Sequence, residues 1–262
     1  MRTRLGTAEL AFEVRGEGPT VLFLHAFPLG LAMWDEQAQA LAATHRVVRF
    51  DDRGFAGSPP GDGLLSMERI ADDAVGLLDH LGLSRAVVVG LSMGGYAALA
   101  LVRRHPDRLA GLVLADTKAG PDSDEARRNR AALAERVLKE GSGAAAEALP
   151  KLLGATTLRD RPAVVDRVRA MILGNPPRGI ADALHGLAAR ADSAPTLREV
   201  RVPTLVVCGD EDVLTPMAEA ETLQRGIAGS RLAAIPQAGH LANLENPAVF
   251  NRVLQEFLAE VR

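Results

Sequence analysis

The chain is poor in cysteine and aromatic residues, with one cysteine, one tryptophan and one tyrosine among 262 residues. The single cysteine, Cys208, permits no intrachain disulfide and no metal site built from cysteines. No apolar run approaches the roughly 20 residues that span a membrane. Residues 1–10 carry charge but no apolar stretch or cleavage site. We therefore expect no signal peptide, no membrane partner and a cytoplasmic location.

No charge of one sign dominates the chain. It has 30 Lys and Arg against 33 Asp and Glu, and a formal net charge of −3. Because no basic patch stands out, we expect no nucleic-acid partner. The 47% of hydrophobic and 24% of charged residues are typical of a globular protein. The length predicts one large domain, or a core with an insertion, as a monomer or small homo-oligomer.

Short apolar runs alternate with helical patterns along most of the chain. Predicted strands fall at residues 9–14, 20–25, 46–50, 85–90, 109–115, 203–208 and 231–235. Predicted helices fall at residues 32–43, 66–81, 94–104, 216–226 and 246–261. Continuous apolar strands that alternate with helices predict a parallel sheet covered on both faces.

Residues 121–192 break this alternation, because they contain helical patterns and no strand pattern. Helices are predicted from Asp122 to about residue 141, from Pro162 to about 173, and over residues 180–191. An insertion of this length usually has a role. We interpret it as a cap over a core of residues 1–120 and 193–262. The alternative is a stabilising excursion away from any site.

The sequence Gly-Leu-Ser-Met-Gly at residues 90–94 lies between a predicted strand and a predicted helix. Glycines permit a sharp turn there, and the turn would hold the Ser92 hydroxyl out into a cleft. The helix N-terminus behind it offers N–H groups to an anion. This context indicates a nucleophilic serine, although the pentapeptide by itself is often an ordinary turn.

A serine nucleophile needs a base, and His240 is the best placed of the six histidines. His240 lies in a loop after the last predicted strand, where open α/β sheets bind ligands. The other histidines lie at a strand end, at helix ends or in the insertion: His25, His45, His80, His105 and His185.

The base needs an orienting carboxylate, which we expect from the loop after the strand at residues 203–208. Asp212 is favoured because Val213 and Leu214 can shield it from water. Asp210 and Glu211 in the same loop are alternatives, although each can be a solvated turn residue. Asp116, at the end of an earlier strand, remains a rival.

The order Ser92, Asp212, His240 is the order of α/β-hydrolases, and short segments across the chain extend the likeness. They are residues 25–29, 51–55, 90–95, 115–123, 209–216 and 238–240. With them the chain resembles small serine carboxylesterases of the α/β-hydrolase fold, grouped with enol-lactonase-like and cofactor-free haloperoxidase-like hydrolases. The resemblance implies a mostly parallel eight-stranded sheet flanked by helices, an all-helical cap, a small-molecule ester substrate, and no metal or organic cofactor.

The resemblance also implies an oxyanion hole formed by the backbone N–H groups of Phe27 and Met93. We expect the substrate pocket to lie between these groups and the insertion. Its expected lining includes His25, Leu29, Leu214 and Leu241. No arginine clamp for an acidic substrate is evident, so short to medium acyl esters are the expected substrates.

Two positions depart from the family's pattern, which usually has glycine where this chain has Ala26 and Ala56. Alanine tolerates a positive φ poorly, so Ala26 could strain or shift the oxyanion loop. Lactone hydrolysis and perhydrolysis on the same three residues remain alternatives to ester hydrolysis. A receptor of this fold with little turnover is a more distant one.

Overall fold

The computed structural model describes residues 1–6 and 8–261, and eight strands form one sheet through them. The strands are β1 Arg2–Leu5, β2 Ala8–Arg15, β3 Thr20–Leu24, β4 Arg46–Phe50, β5 Ala86–Leu91, β6 Leu109–Ala115, β7 Thr204–Gly209 and β8 Arg231–Ile235. Their order in the sheet is β1-β2-β4-β3-β5-β6-β7-β8. The β1–β2 and β2–β4 pairs are antiparallel, and the other five pairs are parallel.

Helices alternate with these strands and cover the sheet. They are α1 Asp35–Leu41, α2 Met67–His80, α3 Met93–Arg104, α4 Asp124–Glu140, α5 Gly143–Ala146, α6 Leu149–Leu152, α7 Ala155–Asp160, α8 Pro162–Leu173, α9 Pro177–Ala188, α10 Met217–Gly226, α11 Ala242–Glu245 and α12 Pro247–Leu258. Helix α2 packs against α3, and α1 packs against α12. The predicted fold class, with its mostly parallel sheet and all-helical insertion, is confirmed. Within the described residues, no helix has both the length and the apolar character to cross a membrane.

The central strands are apolar along their whole length because the sheet is covered on both faces. All six residues of β5 are buried, and so are all six of β7. The parallel register pairs Val88 of β5 with Leu22 of β3 on one side and with Leu112 of β6 on the other. The carboxyl ends of these strands therefore lie together at one edge of the sheet.

Several helices begin at a residue whose side chain caps them. The Ser66 hydroxyl accepts a hydrogen bond from the Arg69 N–H at 3.2 Å, at the start of α2. Asn246 caps α12, with Pro247 at the first helical position. Such caps satisfy N–H groups that have no partner inside the helix. They explain why these helix starts are readable from the sequence.

Two parts of the fold have no clear sequence pattern. Strand β1 buries only Thr3 among its four residues, so it shows no apolar run and was not predicted. Helices α5, α6 and α7 are four to six residues long, which is too short for a helical period to be recognised. The predicted helix over residues 180–191 lies instead at Pro177–Ala188.

Helix α9 lies directly on the core through two glycines. A Cβ on Gly179 would collide with the Gly54 backbone, and one on Gly186 would collide with the Leu65 carbonyl. Both helix positions therefore require glycine for close approach. The division into a core of residues 1–120 and 193–262 and a cap of residues 121–192 stays a prediction. Residues 121–192, which contain helices α4–α9 and the loops between them, are called the cap below.

We expect Gly186→Ala to destabilise the protein by about 1–3 kcal/mol, because the Leu65 backbone cannot move aside as a flexible side chain can. Urea unfolding measures the change. Gly143→Ala is the matched control, since a Cβ on Gly143 meets no atom within 4 Å. Equal midpoints for Gly186→Ala and the parent would contradict this account of the packing of α9.

Candidate active site

Ser92 occupies a sharp turn between β5 and α3, with a φ of 54° and a ψ of −110°. The backbone of a non-glycine residue is strained at this φ, so contacts with the surrounding structure must hold the turn in place. Its N–H donates to the Ala115 carbonyl at 3.0 Å. A Cβ on Gly94 would collide with the Leu24 carbonyl, and one on Gly90 with the Gly94 carbonyl. The two predicted glycines thus allow the tight turn.

Three predicted residues meet in one chain of hydrogen bonds. The Ser92 hydroxyl lies 2.8 Å from His240 Nε2, and Asp212 Oδ2 lies 2.8 Å from His240 Nδ1. The three residues come from the loops after β5, β7 and β8, and all three are buried. With the Nδ1–H donating to Asp212, Nε2 is free to accept the Ser92 proton. The arrangement can therefore activate the serine as a nucleophile.

Asp212 is held by four hydrogen bonds. Its Oδ1 accepts from the N–H groups of Leu214 and Thr215, at 2.8 and 3.0 Å. Its Oδ2 accepts from the Thr215 hydroxyl at 2.6 Å and from His240. Burial by itself would raise the pKa of Asp212, but the bonds from His240 and Thr215 outweigh it and lower the pKa. The carboxylate is thus kept charged beside the imidazole.

The rival Asp116 lies beside Asp212 and has a different environment. Its Oδ1 accepts from the Gly209 N–H at 2.7 Å. Its Oδ2 has no hydrogen-bond partner among the described residues. Burial, followed by the charge of Asp212, raises the pKa of Asp116 well above its usual value. The charged form of Asp116 is therefore disfavoured, and Asp212 is the carboxylate that lies against His240.

The other two acids of the β7 loop also have other contacts. Glu211 accepts hydrogen bonds from the N–H and the hydroxyl of Thr156 in α7, at 2.8 and 2.5 Å. Asp210 is exposed and lies 3.4 Å from the Ala238 N–H. Glu211 thus ties the loop of Asp212 to the cap, whereas Asp210 stays at the surface.

Glu245 positions the loop that carries His240, a role that the sequence analysis did not find. Its Oε1 accepts from the N–H groups of Gly239 and Leu241, on either side of His240, at 2.9 and 3.1 Å. Its Oε2 accepts from the Gly154 N–H of the cap at 2.7 Å. The side chain is almost fully buried. One carboxylate therefore holds both the histidine loop and the cap in place.

The backbone N–H groups of Phe27 and Met93 are free to donate hydrogen bonds to a ligand, as an oxyanion hole requires. Neither donates a hydrogen bond to an acceptor in residues 1–6 or 8–261. Met93 directly follows Ser92 and begins α3, so its N–H belongs to a helix N-terminus. Phe27 and Ser92 line the same cavity. Their role as oxyanion donors stays a prediction.

Ala26 does not have a positive φ, whereas Ala56 has a φ of 40°. The Ala26 N–H points at the Met33 sulfur at 3.1 Å. The Ala56 N–H donates to Asn175 Oδ1 of the cap at 2.8 Å, and Asn175 also donates to the Pro28 carbonyl. The strain expected at position 26 therefore occurs at Ala56, where a cap side chain supports it.

His25 is buried beneath the oxyanion loop. Its Nδ1 donates to the Ala26 carbonyl, and its Nε2 accepts from the Asp52 N–H, both at 3.0 Å. Asp52 is buried beside it, and Oδ1 of Asp52 has no partner among the described residues. Burial raises the pKa of Asp52 to about 6, and the neighbouring His25 ring opposes this rise. Both side chains therefore belong to the support of the loop.

A cavity of about 310 Å³ opens onto Ser92 and His240, which is the size of a small-ligand pocket. The cap supplies much of its apolar wall: Leu133, Ala145, Ala148, Leu152, Leu184 and Leu187. Of the predicted lining residues, Leu214 contacts this cavity. His25, Leu29 and Leu241 do not, because each is at most 1% exposed and packs in the core.

Charged side chains also line this cavity, namely Lys118, Asp122 and Arg130. The sequence analysis did not assign them to the site and found no clamp for an acidic substrate. Lys118 follows the end of β6 by three residues, and Arg130 lies within α4. The signal that could have found them is the position of Lys118 after a strand end. No local pattern distinguishes Arg130 from the other arginines of α4.

Among residues 1–6 and 8–261, Asp116, Cys208 and Asp212 form a group that could hold a metal ion, with ligand atoms within 4.8 Å of one another. Burial raises the pKa of both Asp116 and the Cys208 thiol. Both oxygens of Asp212 already accept hydrogen bonds. Because metal ligands must lose their protons, this donor set suits a cation poorly.

The chain belongs to the alpha/beta hydrolase fold family, whose model matches residues 19–247. It is similar to an esterase from Thermogutta terrifontis, solved with malate bound: the identity is 44%, the match covers 100% of this chain and 99% of the other, and the TM-score is 0.97. An enol-lactonase from Burkholderia xenovorans LB400 is 31% identical over 99% of this chain and 100% of the other, with a TM-score of 0.93.

Among the relatives in sequence is 3-oxoadipate enol-lactonase 2 from Acinetobacter baylyi. It is 28% identical over 242 residues, which cover 92% of this chain and 89% of the relative. These proteins are hydrolases, and this chain is a hydrolase as well. The resemblance to small esterases and enol-lactonases that its motifs indicated is confirmed.

We expect Glu245→Gln to slow labelling of Ser92 by a fluorophosphonate probe about 10- to 100-fold, because small displacements of a reacting group cost rates of this order. Glutamine cannot accept all three of the backbone hydrogen bonds that Glu245 accepts. Mass spectrometry measures the labelling rate. Glu256→Gln, an exposed change on α12, is the control. Equal labelling rates in the two variants would contradict the positioning role of Glu245.

We expect Asp52→Asn to stabilise the fold increasingly as the pH rises from about 4 to 6. The folded-state pKa of Asp52 is about 6, against an ordinary 3.8. The folded state therefore binds more protons in this window, and its stability falls as the pH rises. Above pH 6, the free energy of unfolding of Asp52→Asn should exceed that of the parent by about 3 kcal/mol more than it does at low pH. Urea unfolding from pH 4 to 8 measures it, and a difference that does not change with pH would contradict the assignment.

Proposed function

We propose that this protein is a serine carboxylesterase that hydrolyses short- to medium-chain carboxylic esters through a covalent acyl-enzyme. The observation that carries the proposal is the hydrogen-bond chain Ser92–His240–Asp212, with 2.8 Å at each step, at one end of a largely apolar cavity. The likeness to an esterase over the whole chain supports it.

In the first half-reaction, His240 Nε2 takes the Ser92 proton as Ser92 Oγ attacks the ester carbonyl carbon. Asp212 holds the ring in the tautomer that leaves Nε2 free, and stabilises the imidazolium that forms. The N–H groups of Phe27 and Met93 stabilise the negative oxygen of the tetrahedral intermediate. The C–O bond to the alcohol then breaks, and His240 returns the proton to the departing oxygen.

In the second half-reaction, His240 accepts a proton from a water molecule, which attacks the acyl carbon. The bond between that carbon and Ser92 Oγ breaks, the proton returns to Ser92, and the carboxylic acid leaves. Every proton transfer in this scheme uses His240, so no metal or organic cofactor is needed for it. The apolar cap residues exclude bulk water from the acyl chain, which favours substrates with a short apolar chain.

Lactone hydrolysis is the second candidate, because two of the similar proteins are enol-lactonases. A lactone is a cyclic ester, and the same residues would open it by the same steps, with the alcohol remaining attached to the acyl group. Perhydrolysis would replace water by hydrogen peroxide in the second half-reaction. No contact in the cavity favours peroxide over water.

We expect the parent protein to hydrolyse p-nitrophenyl butyrate, and Ser92→Ala to lower kcat by at least about 10³-fold. Release of p-nitrophenol measures the rate. Labelling of Ser92, and not of Ser58 or Ser142, by a fluorophosphonate shows which serine reacts. Both of these other serines are also buried, which makes them suitable comparisons. Equal rates for the parent and Ser92→Ala would overturn the proposal.

A further inference from the structure

The cavity next to Ser92 is not uniformly apolar, because one part of its wall is positively charged. Lys118, from the loop after β6, and Arg130, from α4, contribute cations to the lining. Asp122 is the carboxylate among the residues that line the cavity. Asn129 adds an amide beside them. The charged part and Ser92 therefore share one cavity.

Asp122 is already neutralised by a buried partner. Arg190 donates to its Oδ1 at 2.9 Å, and both side chains are 2% exposed. The Arg190 guanidinium also lies over the Tyr96 ring at 4.1 Å and donates to the Gly120 carbonyl. Burial opposes ionisation of Asp122, but the bond from Arg130 and the charges of Arg130 and Arg190 hold its pKa below the usual value. Asp122 is therefore an anion in a complete ion pair.

Lys118 and Arg130 approach the same Asp122 from the cavity side. Arg130 donates its Nε to Asp122 Oδ2 at 2.5 Å, and Lys118 Nζ lies 3.9 Å from Asp122 Oδ1. One carboxylate thus faces three cations, counting Arg190. Its single negative charge is balanced by Arg190, so two positive charges at the cavity have no anionic partner of their own.

The two cations also keep hydrogen-bond donors free. The Nη1 and Nη2 groups of Arg130 make no hydrogen bond within residues 1–6 and 8–261. Lys118 Nζ is beyond hydrogen-bond distance of Asp122, and its side chain is 24% exposed. A guanidinium with two free terminal nitrogens is matched in shape to a carboxylate. A largely apolar wall around such donors strengthens their attraction for an anion.

A purely structural ion-pair cluster would explain these residues less well. The pair of Arg190 and Asp122 already joins the two ends of residues 121–192, and both side chains are buried. Lys118 and Arg130 add a second and a third cation to one carboxylate, which like-charge repulsion makes unfavourable. Glu219, whose charge also raises the pKa of Tyr96, is partly exposed and does not line the cavity. An anionic ligand group would remove the repulsion.

We propose that Lys118 and Arg130 bind a carboxylate carried by the substrate, at the end of the acyl chain away from the reacting carbonyl. The preferred substrates are then half-esters of short dicarboxylic acids, or lactones that bear a carboxylate. This inference rests on the proposed function, because it names the substrate class of the same site. The expected substrate is then an acidic ester or lactone, and not the uncharged ester expected from the sequence.

The test compares two p-nitrophenyl esters with acyl chains of equal carbon number, the glutarate half-ester and the neutral pentanoate. We expect kcat/KM for the glutarate half-ester to exceed that for pentanoate by about tenfold at low salt, as charge-assisted hydrogen bonds are of this strength. We expect the ratio to fall as salt is added, since screening weakens the attraction.

We expect Lys118→Met and Arg130→Met each to remove most of this preference. The pentanoate rate should fall by a smaller factor than the half-ester rate, because the neutral ester does not use the charges. Lys139→Met is the matched control, because Lys139 is an exposed lysine of α4, the helix that carries Arg130, and does not line the cavity. As a second measurement, glutarate should inhibit pentanoate hydrolysis by the parent and by Lys139→Met, and about tenfold less well in the two cavity variants.

The outcomes separate this inference from the proposed function. Hydrolysis of pentanoate with no preference for the half-ester, and with no inhibition by glutarate, overturns the carboxylate site and leaves the esterase proposal intact. A preference that Lys118→Met and Arg130→Met leave unchanged also overturns it. If neither ester is hydrolysed, the esterase proposal fails. In that case calorimetry measures glutarate binding directly. Binding to the parent that is lost in Lys118→Met supports the carboxylate site, and absence of binding to the parent overturns it.

Discussion

The structure of the site depends on one strained residue, Ser92, at the join of β5 and α3. A non-glycine residue with a φ of 54° is costly, on the order of 1–3 kcal/mol. The turn is held because Gly90 and Gly94 let the surrounding backbone approach within the distance that a side chain would occupy. This strained backbone conformation places the Ser92 hydroxyl within hydrogen-bond distance of His240. Each other element of the site is arranged around that hydroxyl.

The parallel sheet is what brings the partners to Ser92. Strands β5, β7 and β8 end at the same edge, so loops far apart in sequence meet there. His240 lies 148 residues after Ser92, and its ring spans the distance from the hydroxyl to Asp212. A second acid, Asp116, has a carboxylate oxygen within 4.8 Å of one of Asp212, and the hydrogen bonds that each acid receives separate their roles. Asp212 receives four hydrogen bonds that lower its pKa, while burial raises the pKa of Asp116.

The cap is part of the site's support as well as its cover. Glu245 joins Gly154 of the cap to the histidine loop, and Glu211 joins Thr156 to the loop of Asp212. Asn175 joins the cap to Ala56 and to the oxyanion loop. Because these bonds are buried or partly buried, a shift of the cap would disturb the loops that hold the reacting groups. Cap position and site geometry are therefore coupled in this fold.

The alternation of strands and helices, the turn at Ser92 and the loop position of His240 could be predicted from the sequence. These features depend on the period of apolar residues, on helix caps and on the positions of glycines, all of which are visible within a short segment of sequence. Strand β1 and the shortest cap helices were missed, since each has too few residues to show a period.

The distinction between Asp212 and Asp116 required the folded structure, because it depends on which buried carboxylate lies against the His240 ring. The folded structure also removed His25, Leu29 and Leu241 from the pocket and placed Lys118 and Arg130 in it. Which side chains face a cavity is set by packing between distant segments, and no single segment of the chain records that.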